Sequence, residues 1–399
     1  MGQFKHTLRI EAARPYIHQS EFQSFILWRS RVNGEVYILL INSKQLLLAS
    51  IVTAVSITDS IAEVNFTSWG GNYEISQQKA YVDTWEQGSV KFLKYSGGLD
   101  EIRSQVKSGT VTWDIVDVLP HDARIGCDEG LFEELDRDMF EPAPDGTSMD
   151  DDIMVEVPND CVVPQVFWSY IYFYKEGAFK GAQPTSIADF FDTAKFPGKR
   201  GIHILPNALI EMALVADGVS IRDVYKVMST KAGIDRAFTR LDSIKDNVVL
   251  WDYGNEPLDL VRSGEVSMSI AYSGRVGAAI LSEDEKFVPV WDGQVLEEEW
   301  LVLLKDAPNA DEAKRFLVHA SAPAQQARQA KHITYGPMRA SAFGIMRAGE
   351  PWFHNGKNIM EHMPNRPEIM FCTIVANPEW WSEYGVAVDE RYAAWMSSY

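Results

Sequence analysis

Between Val266 and Leu281 the chain changes period within four residues. Val266-Ser-Met-Ser-Ile-Ala271 alternates apolar with small or polar side chains, the period of a strand. Tyr272-Ser-Gly-Arg275 breaks that period, and Val276-Gly-Ala-Ala-Ile-Leu281 reads as a helix. A strand that ends at a polar turn and feeds a helix is half of a βα unit. In open α/β sheets ligands sit at the carboxyl ends of the strands, so Tyr272 and Arg275 are expected at a cleft. Arg275 is the only Lys or Arg between Arg262 and Lys286. A cation at a helix N-terminus opposes the helix dipole. An anion delivered from outside is a better reason for it than a solvated surface position.

The same rhythm runs through the front of the chain. The strand pattern Glu63–Trp69 leads through Gly70-Gly71-Asn72 to a helix over Tyr73–Glu86. Val90–Tyr95 is the next strand and Leu99–Ser108 the next helix; Thr112–Val118 is a buried strand followed by a helix to Asp128. Short connections between strands and helices argue for a mainly parallel sheet. Glycines before a helix let backbone amides approach a polar ligand. Trp69, at a strand end, then faces the cleft; a place in the core is the alternative. Val162–Phe173 is longer than most strands and is expected to pass from one sheet to another. The alternation resumes from residue 186 to the opening strand. Phe287–Trp291 and Leu301–Leu304 read as two further strands, and Asn309–Ala320 and Pro323–Ala330 as helices.

Composition narrows the function. A formal charge of −19 over 399 residues argues against nucleic acid and favours cationic or zwitterionic solutes. The sequence holds no phosphate-binding GxxxxGK[ST], no GxGxxG, no HExxH and no GxSxG. No histidine or cysteine spacing suits zinc, and no cofactor is implied. Asp150-Asp-Asp152 reads as a solvated loop.

Lys44, the apolar run Leu46–Ile57 and the small-x-small Ser60-Ile61-Ala62 follow the order of a secretory signal. Residues 1–62 are therefore set aside as leader and signal, with 43–62 as the signal core. The first 43 residues are unusually long for a leader and suggest a start codon assigned too early. A buried helix is the other reading of the apolar run. Export permits disulfides. Cys127 and Cys161 fall in one expected lobe and are paired here, with Cys372 free, although spacing alone does not fix connectivity.

Several segments together resemble a known family. They are Asn65-Phe-Thr-Ser-Trp-Gly-Gly-Asn-Tyr73, Trp113-Asp-Ile-Val-Asp-Val118, Gly126-Cys-Asp-Glu-Gly-Leu131, Phe196-Pro-Gly-Lys-Arg-Gly201, Gly264-Glu-Val266 and Tyr272-Ser-Gly-Arg275. Their order and spacing resemble the polyamine-type (spermidine/putrescine) solute-binding proteins of bacterial ABC importers, over nearly all of 63–399. The resemblance implies a type II periplasmic binding protein of α/β class. It would have two lobes, each a mainly parallel sheet flanked by helices, with the ligand in the cleft between them. The first lobe would take 63–163 plus 298–339, and the second 164–297 plus 340–399. The partners implied are an ABC permease and its ATPase, the location the periplasm, and the working state a monomer that performs no chemistry.

Carried over position by position, the family pocket falls on Trp69, Tyr73, Tyr272, Glu299, Tyr335 and Trp381. Two departures matter. The second-lobe carboxylate expected in the helix after Ile204 falls near Ala208, which holds no charge. Arg275 stands where some polyamine binders have a carboxylate. A planar guanidinium suits a carboxylate, and Glu299 remains to accept an ammonium. The expected ligand is then amphoteric, an amino acid or an ω-amino acid such as 4-aminobutyrate. Glu297 and Glu298 are alternatives to Glu299, since strand alternation turns neighbours apart. A polyamine ligand, an internal Arg275–Glu299 salt bridge and an enzyme on the same scaffold are the rival readings.

Overall fold

A computed structural model describes residues 25–32, 35–42, 63–349 and 352–397. The chain divides into two units, Met1–Ser60 and Ile61–Tyr399. The first holds an antiparallel hairpin of β1 (Phe25–Val32) and β2 (Glu35–Asn42), with Phe25 opposite Asn42. The leader reading gave no reason to expect that hairpin. The signal reading of 43–62 lies outside the described residues.

The second unit is built on one mixed sheet of ten strands. In chain order these are β3 (Glu63–Ser68), β4 (Ser89–Lys94), β5 (Ile115–Val118), β6 (Val162–Lys175), β7 (Arg200–His203), β8 (Val248–Trp251), β9 (Met268–Tyr272), β10 (Phe287–Leu303), β11 (Gly336–Pro337) and β12 (Ile374–Val375). The spatial order is β4-β3-β5-β10-β6-β9-β7-β8, with β11 beside β6 and β12 beside β10. At one end β3 runs parallel to β4 and β5, and at the other β7 runs parallel to β8 and β9. The long strands β6 and β10 join the two parallel groups, antiparallel to each other and to β5 and β9. The α/β class and the expected strand-to-helix alternation are thus present. The long apolar run from Val162 is one strand shared by both halves of the sheet.

Two strands expected at Phe287–Trp291 and Leu301–Leu304 are one strand, β10. Asp292-Gly293 is a bulge and not a turn: the register against β6 shifts between Val290 and Val295. Gly293 has φ 71, and a Cβ there would lie 2.8 Å from the Ile187 side chain, so a larger residue is excluded on both counts. In β6 every residue from Val162 to Tyr174 is buried, as expected of a central strand covered on both faces.

Two main cores flank the sheet. One gathers Val64, Phe66, Ile115, Val116, Leu301 and Phe316 around β3, β5 and the end of β10. The other packs Ile202, Met268 and Ile270 against the helix Leu209–Ala216. That helix is apolar almost throughout, so it is buried on nearly all sides, and its single acid, Glu211, goes in with it. Cys127, at the end of the helix Pro120–Asp128, is joined by a disulfide to Cys161, just before β6, with 6.0 Å between the Cα atoms. Cys372 is unbridged and half-buried. Among the described residues no helix is long and apolar enough to cross a membrane.

Candidate ligand-binding cleft

The carboxyl ends of β3, β5, β7 and β9 meet over the middle of β6 and β10. Gly71, just after β3, and Arg275, just after β9, are neighbours: a Cβ on Gly71 would sit 3.1 Å from Arg275 Nη1. Both Gly70 and Gly71 have positive φ, which swings the chain away and leaves room for the guanidinium.

The aromatic residues line the seam. The Trp69 ring stacks on Tyr95 at 5.0 Å. Tyr272 packs against Trp168 at 5.4 Å, Tyr170 at 5.2 Å and Trp251 at 5.6 Å. Tyr73 and Tyr335, both buried, lie 5.8 Å apart, and a Cβ on Gly274 would strike the Tyr335 ring. Trp69, Tyr73, Tyr272, Arg275, Glu299 and Tyr335 are therefore brought into one neighbourhood.

Glu299 points into that neighbourhood from β10. Its Oε1 accepts the indole N–H of Trp69 at 2.8 Å and its Oε2 that of Trp168 at 3.1 Å. Burial pushes its carboxyl well above the ordinary range, and the nearby Asp117 adds to the rise; the two indoles oppose it. Asp117, on β5, accepts from Tyr73 at 3.0 Å and from Gln77 at 2.8 Å. Burial pushes Asp117 up to about 7.

Arg275 is half-buried and 5.7 Å above the Tyr272 ring. Its Nη1 donates to Asn255 Oδ1 at 3.0 Å, while its Nε is buried without a hydrogen-bond partner. Among the described residues it forms no ion pair, with Glu299 or with any other carboxylate. The internal salt bridge that would account for both charges without a ligand is therefore absent.

Trp381 goes elsewhere. Its indole donates to Glu211 Oε1 at 2.8 Å, the oxygen that also takes the Tyr225 hydroxyl at 3.1 Å. Glu211 is the acid that sequence reasoning missed. A carboxylate was sought near Ala208, and it stands three residues on, one helical turn along the same face. Burial pushes Glu211 up to about 7. Glu297 shares the Glu299 face of β10; burial, then the charges of Glu211 and Glu298, raise its carboxyl well above the ordinary range. Glu298 points to the other face, where Trp300 donates to it at 3.1 Å. Trp168, Asp117 and Asn255 were also missed, because their types carry no signal outside the fold. Among the described residues no cluster of His, Cys, Asp and Glu is fit to hold a metal.

A seam lined by aromatic rings, with one unpaired arginine and several buried carboxyls, is built to hold a small charged molecule. With the mixed sheet behind it, this defines a solute-binding protein. Residues 86–359 match the family model for bacterial extracellular solute-binding proteins. A gamma-aminobutyric acid-binding protein of Pseudomonas aeruginosa PAO1 is 33% identical over 334 residues, 83% of this chain and 90% of the relative. The solved ABC transporter substrate-binding protein of Bradyrhizobium japonicum USDA 110 is 30% identical with TM-score 0.72, covering 84% of this chain and 99% of that one. PBP MotA of A. tumefaciens B6, solved in complex with glucopine, is 26% identical with TM-score 0.72, covering 84% and 100%. The chain belongs to the bacterial extracellular solute-binding protein family, and its role is binding, not catalysis.

Proposed function

We propose that this chain captures a small amphoteric amine, an amino acid or an ω-amino acid such as 4-aminobutyrate, for an ABC importer. The observation that carries the reading is Arg275, seated at the seam with a buried, unpartnered Nε and, among the described residues, no carboxylate paired with it. A guanidinium left open among aromatic rings is a receptor for a carboxylate. Glu299 supplies the opposite charge, and Trp69 and Tyr272 cover the methylene body. Tyr73 and Tyr335 close the wall, and Trp381 acts through Glu211. The name of the Pseudomonas relative supports the choice of ligand. A polyamine would meet Arg275 as a like charge.

The remaining assignments follow the same reading. The lobes divide at 163/164, 297/298 and 339/340, so that β6 and β10 carry the hinge. The protein works in the periplasm after cleavage near Glu63, as a monomer that docks on a permease with its ATPase. Isothermal calorimetry against 4-aminobutyrate, the common amino acids and putrescine tests the ligand. Tight binding of 4-aminobutyrate or an amino acid, recovered chemically unchanged, is expected; a preference for putrescine would overturn the amphoteric reading, and turnover would overturn binding alone.

A further inference from the structure

Arg275 is met by the turn that leads from β8 into the helix Glu256–Ser263. The turn reads Asp252-Tyr-Gly-Asn-Glu256, so acids stand on both sides of Asn255. Among the described residues neither acid forms an ion pair. Glu256 turns back on the turn itself: its Oε2 accepts the backbone N–H groups of Asp252 at 2.8 Å and Tyr253 at 3.0 Å. The side chain that meets the guanidinium is the neutral one, with Asn255 Oδ1 accepting from Arg275 Nη1 at 3.0 Å. Gly254 allows the approach. A Cβ there would lie 2.5 Å from Arg275 Nε and 2.6 Å from its Cζ, so a larger residue would displace the guanidinium.

Asn255 also holds the N-cap position of the helix, where an asparagine oxygen ordinarily accepts from a backbone N–H of the first turn. Here it makes no such bond. Pro257 has no N–H to offer, and the Leu258 N–H goes to the Asn255 carbonyl at 3.1 Å. The helix start is satisfied without the Asn255 side chain, which is left for Arg275. Aspartate serves an N-cap as well as asparagine, and a helix N-terminus favours an acid. Local folding would accept either residue at 255, but their effects on Arg275 differ. An amide oxygen orients a guanidinium and leaves its charge open, whereas a carboxylate would pair with it.

We propose that Asn255 is the positioning residue that holds Arg275 ready for a ligand carboxylate, and that the neutrality of its side chain selects an amphoteric solute over a pure amine. This rests on the reading of Arg275 as the carboxylate anchor. An acid at 255 would occupy the guanidinium from within the chain and repel the carboxylate of the ligand.

Calorimetry against 4-aminobutyrate and putrescine compares wild type with Asn255→Asp and Asn255→Ala. Asn255 is exposed, so both variants should match wild type in circular dichroism and unfolding. Asn255→Asp should lower affinity for 4-aminobutyrate more than tenfold, because like charges are then brought together at the anchor, and affinity for putrescine should rise. Asn255→Ala should lower affinity for 4-aminobutyrate about two- to tenfold, as expected for one lost hydrogen bond, with putrescine unchanged. A merely structural role would move both ligands together. A second measurement needs no ligand: nitrogen NMR of the Arg275 guanidinium, assigned with Arg275→Lys. The bond to Asn255 hinders rotation about Nε–Cζ, so separate Nη signals are expected in wild type and merged ones in Asn255→Ala. Equal changes for both ligands, unchanged 4-aminobutyrate binding in either variant, or Nη signals indifferent to the Asn255 side chain would overturn the positioning role and leave the solute reading intact. A wild type that prefers putrescine or binds neither ligand would overturn the solute reading and the selectivity with it, and the NMR comparison still decides the positioning.

Discussion

Trp69 and Glu299, 230 residues apart in sequence, are joined by a hydrogen bond of 2.8 Å from the indole Nε1 to Oε1. The bond ties the end of β3 to the middle of β10, across β5. Trp168 on β6 holds the other oxygen, so three strands fix one carboxyl. Glu299 is therefore preset in orientation before any ligand arrives, and an ammonium entering there meets an acceptor already in place. Replacing Trp69 with Phe keeps most of the ring and removes the donor. We expect a stability loss of about 1–3 kcal/mol, the range for a buried acceptor deprived of a partner. Ligand affinity should fall in the same variant. Chemical denaturation and calorimetry on one preparation check both; unchanged stability and affinity would show that the indole bond fixes nothing.

Arg275 offers a cleaner test of charge. It sits at the seam and not in a core, so Arg275→Ala should fold as wild type. In binding it should cost about 2–5 kcal/mol, the range for truncating one partner of a buried hydrogen-bonded charge pair. Arg275→Asp should abolish amino-acid binding and raise affinity for putrescine, since the guanidinium that would meet a carboxylate becomes an acid. Calorimetry against both ligand types decides. An Arg275→Ala protein that binds every ligand as wild type does would remove the carboxylate anchor.

The strand-to-helix turns were legible because they combine two local signals, a change of period and a glycine- or proline-marked break. That was enough to place Tyr272, Arg275 and Trp69 at one seam. The long strand β10 was split in two, because Asp292-Gly293 looks like a turn and becomes a bulge only when β6 runs alongside. Alternation did sort Glu297 and Glu299 from Glu298. What it could not tell was which of the two same-face acids a tryptophan would satisfy, since Trp69 and Trp168 arrive from distant strands. Glu211 was missed by one helical turn: an acid in an apolar helix reads as a flaw in the pattern until Trp381 and Tyr225 are seen to converge on it.

The Cys127–Cys161 bridge closes a separation of 34 residues and ties the helix Pro120–Asp128 to the start of β6. Constraining a loop of that length in the unfolded chain contributes about 2–4 kcal/mol. The double variant Cys127→Ser, Cys161→Ser should unfold at correspondingly lower denaturant and still bind, since neither cysteine reaches the seam. Thiol counting on the denatured wild type should find one thiol per chain, from Cys372. Three thiols would show that the bridge does not form.

The buried acids also set how stability responds to pH. Asp117 and Glu211 are each pushed up to about 7 by burial, and Glu297 and Glu299 are raised as well. An acid whose folded value exceeds its unfolded value binds protons more tightly when folded. Its contribution is fully present below the unfolded value and is lost as pH rises to the folded one. For Glu211 that window runs from the ordinary glutamate range to about pH 7. Across it the empty protein should lose roughly 2–4 kcal/mol from this residue alone. Four histidines act in the opposite sense. Burial lowers His203, His319, His332 and His362, so they favour the folded state increasingly as pH rises toward their ordinary value. The total curve mixes both, and the informative quantity is the difference between wild type and Glu211→Gln, in which the histidines cancel. Wild type should lose stability relative to the variant between pH 5 and pH 8, measured by urea unfolding without ligand at several pH values. A constant difference would mean that Glu211 carries the same charge folded as unfolded.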